Sequence, residues 1–421
     1  MISAPIRLAA VLALAALGAC RAAPAADLGP TRTLAESGAG NPTVAVDAAR
    51  GATYVAWVQT DDSVSNVYLA RLGAGGEPEG APVRVNTIPG DASTHEQAPP
   101  QVVTGPNGEV YVVWQKSREV EGRRFPATNL RFARSTDGGR SFEPAVFVND
   151  DAEGLAASHT FHDVAVAKDG TIVVSWLDSR ERERYQAEHG AQRPAMGEMK
   201  GGHGGHGADT EGPGSELRVA RSTDGGRSFS PSVLVDQGVC PCCRTSLALA
   251  PDGGVYLVWR KVFAGSVRDV AIAHSADGGQ SFSAPERVHE DGWVFGGCPH
   301  AGPSVAVDAS GRVHVAWYTG REGRQGLWYA SSTDGKRFGA PAPLVTGEWV
   351  PPSQVKLSAV GNQIWVAWDD RRAETAEVRL AVAEGERAPR AVGAAVVGRL
   401  PEVAGGALAW ADEGAVRVRV R

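Results

Sequence analysis

The most reactive chemistry in this chain sits in two short stretches. Cys240-Pro241-Cys242-Cys243-Arg244 packs three thiols into one turn's length, and Trp293-Val294-Phe295-Gly296-Gly297-Cys298-Pro299-His300 adds a thiol and an imidazole. His95 with Glu96, and His159 with His162, stand elsewhere, and a Gly- and charge-rich stretch carries Met196, Met199, His203 and His206. Thiolate, imidazole and thioether together form the donor set of soft and borderline metals, copper(I) first and zinc second. In that chemistry Cys240, Cys242, Cys243, Cys298 and His300 are the inner candidates, and the Met/His stretch is a capture arm. The same cysteines admit another chemistry. With Cys20 set aside, the remaining four suffice for two disulfides in an oxidising compartment, and of the possible pairings one joins the adjacent Cys242 and Cys243 and is strained. Both readings stand at this point.

A second constellation is charged. Arg180 in WLDSR, Arg321 in WYTGR, and Arg371 and Arg372 in WDDRR each follow a strand-ending tryptophan, and Arg244 closes the cysteine motif. Clustered guanidinium groups grip a carboxylate bidentately. Asp178, Asp369 and Asp370 are available as acids, and Trp293, Phe295 and Trp349 offer stacking surfaces for a ring. The plainer reading of any one such arginine is a charged residue on an exposed loop.

Two repeats must position these groups. The first is an apolar strand, a polar turn and a strand closing on Trp: PTVAVDAARGATYVAW ends at Trp57, and related units end at Trp114, Trp176, Trp259, Trp317, Trp368 and, in worn form, Trp410. Period-two alternation, β-branched residues and Gly/Asp/Asn turns are hairpin signals, and no segment shows helical periodicity. The second repeat is STDGGRSF at Ser135 to Phe142 and Ser222 to Phe229, SADGGQSF at Ser275 to Phe282, and the shorter STDGKRF at Ser332 to Phe338. Its Asp137, Asp224, Asp277 and Asp334 can accept hydrogen bonds from the backbone of their own turns. Repeats of this kind, with four strands each, predict an all-β β-propeller. Six repeats carry all four strands, A to D, and the seventh lacks the outermost. Thr31 to Ser37 reads as that missing strand, so seven blades closed by an N-terminal outer strand are favoured, with six as the alternative. In such blades the A–B and C–D turns lie on one face, and the D–A and B–C connections on the other. The Asp turns take the first face, and both constellations above take the second.

The pattern Ser-x-Asp-x-Gly-x-x-aromatic resembles the Asp-box, or BNR repeat, of the sialidase superfamily. The resemblance implies a sialidase-like propeller, a glycan or protein ligand on the channel face, and, if catalytic, a glycoside hydrolase acting on acidic glycans with Arg244, Arg321 and Asp178 in the site and Arg180, Arg371, Trp293, Phe295 and Trp349 as ligand contacts. The Phe/Tyr-Arg-Ile-Pro motif of sialidases is not found; Arg123-Arg124-Phe125-Pro126 has the wrong order, and no Tyr with a Glu partner matches. No catalytic residue is therefore carried over, and enzymatic activity stays open beside a non-catalytic binding or protein-interaction role.

Length and composition agree with a large β domain: 421 residues, 43% apolar, 52 glycines and a net charge of −6. That balance, without a basic block, gives nucleic-acid binding no support. Behind Arg7, Leu8 to Leu17 is an apolar run too short to span a bilayer, and it ends in Leu17-Gly18-Ala19-Cys20, which resembles a bacterial lipobox. The resemblance implies export, cleavage before Cys20, a lipid anchor on that residue, and, with Arg21 following, an outer-membrane location facing the periplasm. The expected organisation is a signal peptide over 1–19, a lipidated tether over 20–30 and a propeller over 31–421, with a flexible insertion at 180–215.

Overall fold

The computed structural model describes residues 28–121, 126–151, 155–189 and 213–421. It is a seven-bladed β-propeller, each blade an antiparallel sheet of at least four strands. The innermost strands are Ala39–Asp47, Gln101–Thr104, His159–Val166, Ser246–Leu249, Ser304–Val307, Val355–Val360 and Arg399–Ala404, for blades one to seven in order. Six blades are excluded. The seventh is completed by the N-terminal strand Arg32–Ala35, which pairs antiparallel with Ala415–Val420, Arg32 opposite Val418 and Thr33 opposite Arg417. Pairing the two ends of the chain in one sheet removes the edge that either would leave open.

The core lies between blades rather than at one centre. Trp57, Trp114, Trp176, Trp259, Trp317 and Trp410, each within the second strand of its blade, are fully buried. Successive blades share an apolar cluster: Trp114 packs with Tyr54 and Leu69 of blade one, Trp176 with Leu130 and Phe132 of blade two, and Trp317 with Val270 and Ile272 of blade four. Indole N–H groups inside such clusters need acceptors. Trp176 donates to Asp178, Trp259 to Asp236 and Trp317 to Asp291, at 2.6 to 2.9 Å.

The Asp turns staple neighbouring blades on the first face. Asp224 accepts from the hydroxyls of Ser222 and Ser228 and from the backbone N–H groups of Arg227 and Ser228. Burial pushes its carboxyl up, but these donors outweigh burial and hold it well below the usual carboxylate range. Gly226, at φ +80°, lies against the Phe132 ring of the preceding blade, and Phe229 meets the same ring edge-on at 5.0 Å. Asp137 and Asp277 repeat these hydrogen bonds, and the one-residue-shorter turn at Asp334 keeps the Ser332, Lys336 and Arg337 donors.

One sequence expectation is corrected. The insertion after Trp176 begins as an α-helix, Arg180–His189, and the next strand among the described residues is Ser215–Ser222. The helix has little apolar periodicity, which is why its sequence reads as loop; Arg180 anchors its first turn through buried ion pairs.

Candidate functional site

The second face carries the connections from each outer strand into the next inner strand. Several of these connections share a backbone device. Asn41, Phe161, His300 and Leu400 all have φ between 51 and 56°, and three of them sit in bulges that turn the chain into the channel wall. A non-glycine residue in that region is strained and persists where its surroundings fix it.

Two of these connections are pressed together. The segment before blade four carries Cys240, Cys242 and Cys243, and the one before blade five carries Cys298 and His300. Gly302 lies against the backbone of Arg244, so close that a Cβ there would meet the Arg244 carbonyl oxygen at 2.4 Å. This contact brings the thiols into one cluster, as the residue types foreshadowed. Sγ of Cys240 lies 3.6 Å from Sγ of both Cys242 and Cys243, and all four described cysteines are free thiols. A bonded disulfide would need about 2.0 Å. Sulfurs on a tetrahedral ion at about 2.3 Å would be separated by about 3.8 Å. The donor atoms of Cys242, Cys298 and His300 form a second close group that shares Cys242 with the first.

Two buried arginines lie beneath the thiols. Arg268 Nη1 donates to Cys240 Sγ at 3.2 Å, and its Nε donates to the Phe295 carbonyl. Arg260 is pinned by the carbonyls of Arg268, Ala301 and Tyr318. Contacts from the Cys242 and Cys243 thiols, with the positive charge of Arg268 and Arg260, outweigh burial and hold Cys240 well below the ordinary thiol range. Cys242 is pushed up by Cys240, and Cys243 by burial and Cys240. Cys298 is lowered by its contact with Cys242. The arrangement offers soft donors with a buried guanidinium group already placed against one of them.

Arg268 escaped the sequence reading, because an arginine at the start of a third strand looks like any solvated residue. His95 also belongs here. Its protonation is lowered by burial and then by His300, whose imidazole is near enough to oppose a second charge. His95 packs edge-on against Phe161 at 5.2 Å, at the channel mouth. His162, by contrast, is wholly buried within the blade-three inner strand; its Nε2 faces the Val113 carbonyl at 3.2 Å, and burial lowers it to about 4. It is a core residue rather than a rim ligand.

The charged candidates do not converge. Arg244 is buried and reaches across the channel to Glu402 of blade seven at 2.7 Å, with Lys356 on the other Glu402 oxygen. That ion pair anchors the residue next to Cys243. Asp178 and Arg180 form a separate buried network with Asp150, Asp151 and His159, in which Arg180 bonds Asp178 and Asp150 at 2.7 Å each. Arg321 is exposed and bonds the Asp291 carbonyl, and Arg371 is tied to Asp369 at 2.7 Å. Of the aromatic candidates, Trp293 is buried, stacked on Phe295 and edge-on to Tyr318, so its ring faces are taken. Phe295 and Trp349 are exposed, Trp349 to 71%. Cys20, Met196, Met199, His203 and His206 lie outside the described residues.

A cavity of about 850 Å³ opens on the other face, lined by first-turn residues such as Lys168, Asp252 and Asp308 together with Arg221 and Asp277. It shares no residue with the thiol cluster.

No protein-family model matches the chain, and comparison with curated proteins finds no match. Among solved structures, a polysaccharide lyase, an ulvan lyase bound to an oligosaccharide, aligns with a TM-score of 0.56 at 12% identity over 92% of this chain and 95% of its own. A protein of unknown function from Dyadobacter fermentans aligns with a TM-score of 0.50 at 14% identity, over 93% of this chain and 99% of its own. A Hadza microbial sialidase aligns with a TM-score of 0.48 at 13% identity, over 85% and 73%. At such identities the likeness is one of fold.

Proposed function

We propose that this protein is an exported, lipid-anchored propeller of the bacterial envelope that binds a soft metal ion, copper or zinc, through Cys240, Cys242, Cys243, Cys298 and His300. One observation carries the reading: thiols from two separate inter-blade connections are gathered, two of them 3.6 Å from the Cys240 sulfur, over two buried guanidinium groups. Burying several thiolates is costly without compensation, and Arg268 and Arg260 supply compensation where the anionic charge of a metal–thiolate unit would lie. Tethering of backbone carbonyls accounts for Arg260 but not for the Arg268 guanidinium turned onto the Cys240 sulfur. Anchoring at Cys20 rests on the lipobox, and the tether would hold the propeller at the membrane surface.

Protein purified under reducing conditions is expected to retain about one copper or zinc ion per chain by elemental analysis, with the metal lost on Cys240→Ser. Reduced protein that holds neither metal overturns the reading, and protein isolated with Cys298 oxidised would favour disulfides. Radiolabelled palmitate incorporation, abolished by Cys20→Ala, tests the anchor.

Carbohydrate binding is a second reading, favoured by the exposure of Trp349 and Phe295 on the same face. Aromatic surfaces of this kind stack on sugar rings, and retardation in glycan-containing gels that disappears on Trp349→Ala would support it. Hydrolysis has weaker support, since Arg244, Arg321 and Asp178 are each engaged by a different protein partner.

A further inference from the structure

The donors of the thiol cluster form two triads rather than one closed set. Cys240, Cys242 and Cys243 lie within 4.8 Å of one another, and so do the ligand atoms of Cys242, Cys298 and His300. Only Cys242 is common to both. The triads also differ in depth. The first is buried throughout, whereas in the second Cys298 is half-buried and His300 exposed. A closed tetrahedral zinc site needs four donors at mutual separations of about 3.8 Å. Two triads sharing a vertex instead describe two low-coordinate sites in series, the outer one open to solvent and the inner one lying against Arg268.

We propose, resting on the metal-binding reading above, that the cluster is a two-station relay for copper(I). The ion is captured at the outer station by Cys242, Cys298 and His300, and moves by ligand exchange to Cys240, Cys242 and Cys243. Copper(I) is the ion for which low-coordinate thiolate sets suffice, and soft donors favour it. The steps balance without a redox partner. Cys242 and Cys298 lose their thiol protons to solvent as they bind. The Cu–S bond to Cys240 forms, with loss of any proton on that sulfur to solvent, as the Cu–N bond to His300 breaks. The bond to Cys243 forms with loss of its proton, as the bond to Cys298 breaks and that sulfur regains a proton. Copper enters and ends as copper(I). Cys242 keeps its bond throughout, so the ion is never released between stations. His300 is fixed at φ 51°, and its backbone carbonyl accepts from Gln354 Nε2 at 2.7 Å, so the outer donor is held by the geometry of the connection rather than by a loose loop.

The test uses full-length protein and copper(I) presented anaerobically as its bicinchoninate complex, whose colour reports transfer. Wild-type protein is expected to strip copper in a fast phase and to hold it in a sulfur-only environment by X-ray absorption. His300→Ala should slow loading by roughly tenfold or more while lowering the equilibrium affinity by much less. Cys240→Ser should do the reverse: loading stays fast, retention falls by roughly tenfold or more, and nitrogen enters the copper coordination sphere. Cys243→Ala, checked for native circular dichroism, guards against misfolding of one inner variant and should behave as Cys240→Ser does. If inner and outer variants lower affinity alike and leave the loading rate unchanged, the cluster is one site and the relay is wrong, although metal binding stands. If wild-type protein takes no copper(I), both fall.

Discussion

His159 shows what a single residue contributes to this scaffold. Its Nδ1 donates to the Thr128 carbonyl at 2.6 Å, and its Nε2 lies 2.8 Å from Asp151, so both ring nitrogens are best served by the charged form. Burial lowers its pKa, but Asp151 and Asp178 outweigh burial and raise it above 6.5. Asp151 moves the other way: burial raises it, and the His159 hydrogen bond with the charges of His159 and Arg180 brings it down to about 2. The signs set the pH window. The Asp151 contribution is complete above 3.8 and is lost as pH falls through about 2, whereas the His159 contribution is complete below 6.5 and is lost as pH rises through its raised value. Stability from this pair is therefore greatest between about pH 4 and 6.5. Asp151→Asn should cost about 2 kcal/mol there, read by thermal unfolding, and His159→Gln should flatten the alkaline-side decline. An unchanged pH profile in His159→Gln would assign the decline elsewhere. At this scale the sequence was partly legible. Cysteines announce themselves by type, and the five residues read as metal donors do assemble, but Arg268 acts through Cys240 and Phe295, each more than 25 residues away in the chain.

Elements explain what made the rest readable. The Asp turns repeat because each must satisfy its own backbone and also abut the previous blade. Gly226→Ala tests both demands, since its φ of +80° disfavours a side chain and the new Cβ would lie 2.2 Å from Phe132. Gly253 has a φ of +91° but open space around it. Denaturant unfolding should show a loss of roughly 3 kcal/mol at Gly226 against about 1 kcal/mol at Gly253. Equal losses would mean that the turn conformation alone is selected. Gly302 is the corresponding position beside the thiols. Its role is close approach to Arg244 rather than unusual backbone, so Gly302→Ala should leave circular dichroism native while metal retention falls by about tenfold. Full retention would show that the connections before blades four and five need not touch. Strand alternation and Trp spacing made the blades legible because they are local signals. The helix Arg180–His189 was not legible, because it is held by the Arg180 ion pairs rather than by an apolar face. The arginine set read as one carboxylate site proved to be several ion pairs, since chain position fixes the face of the disc but not the partner.

At the scale of the whole molecule, ring closure decides stability. Each apolar cluster joins adjacent blades, so the blades support one another around the ring, and the last junction depends on a strand taken from the opposite end of the chain. Arg32–Ala35 covers Ala415–Val420, Leu34 and Ala35 pack into the cluster between blades seven and one, and the Gly29 N–H donates to the Val420 carbonyl at 2.8 Å. Removing the strand would leave a row of backbone donors and acceptors on an open edge, a template for pairing with a second copy. A chain starting at Gly38 should therefore lose roughly 3 kcal/mol, at about 1 kcal/mol for each lost backbone hydrogen bond, and should self-associate by light scattering. Adding the peptide Thr31–Ser37 in excess should restore the melting temperature in part and return the protein to a monomer, because the edge it covers is otherwise intact. The same truncation separates closure from metal chemistry. The thiol cluster lies where the chain passes into blades four and five, across the ring from the seam, but Arg244 is anchored to Glu402 in the blade that the N-terminal strand completes. If that ion pair transmits the loosening, the truncated protein should release metal faster than wild type and the added peptide should slow the release. A truncated protein that stays monomeric with wild-type melting and metal retention would show that the seventh blade closes the ring without its fourth strand.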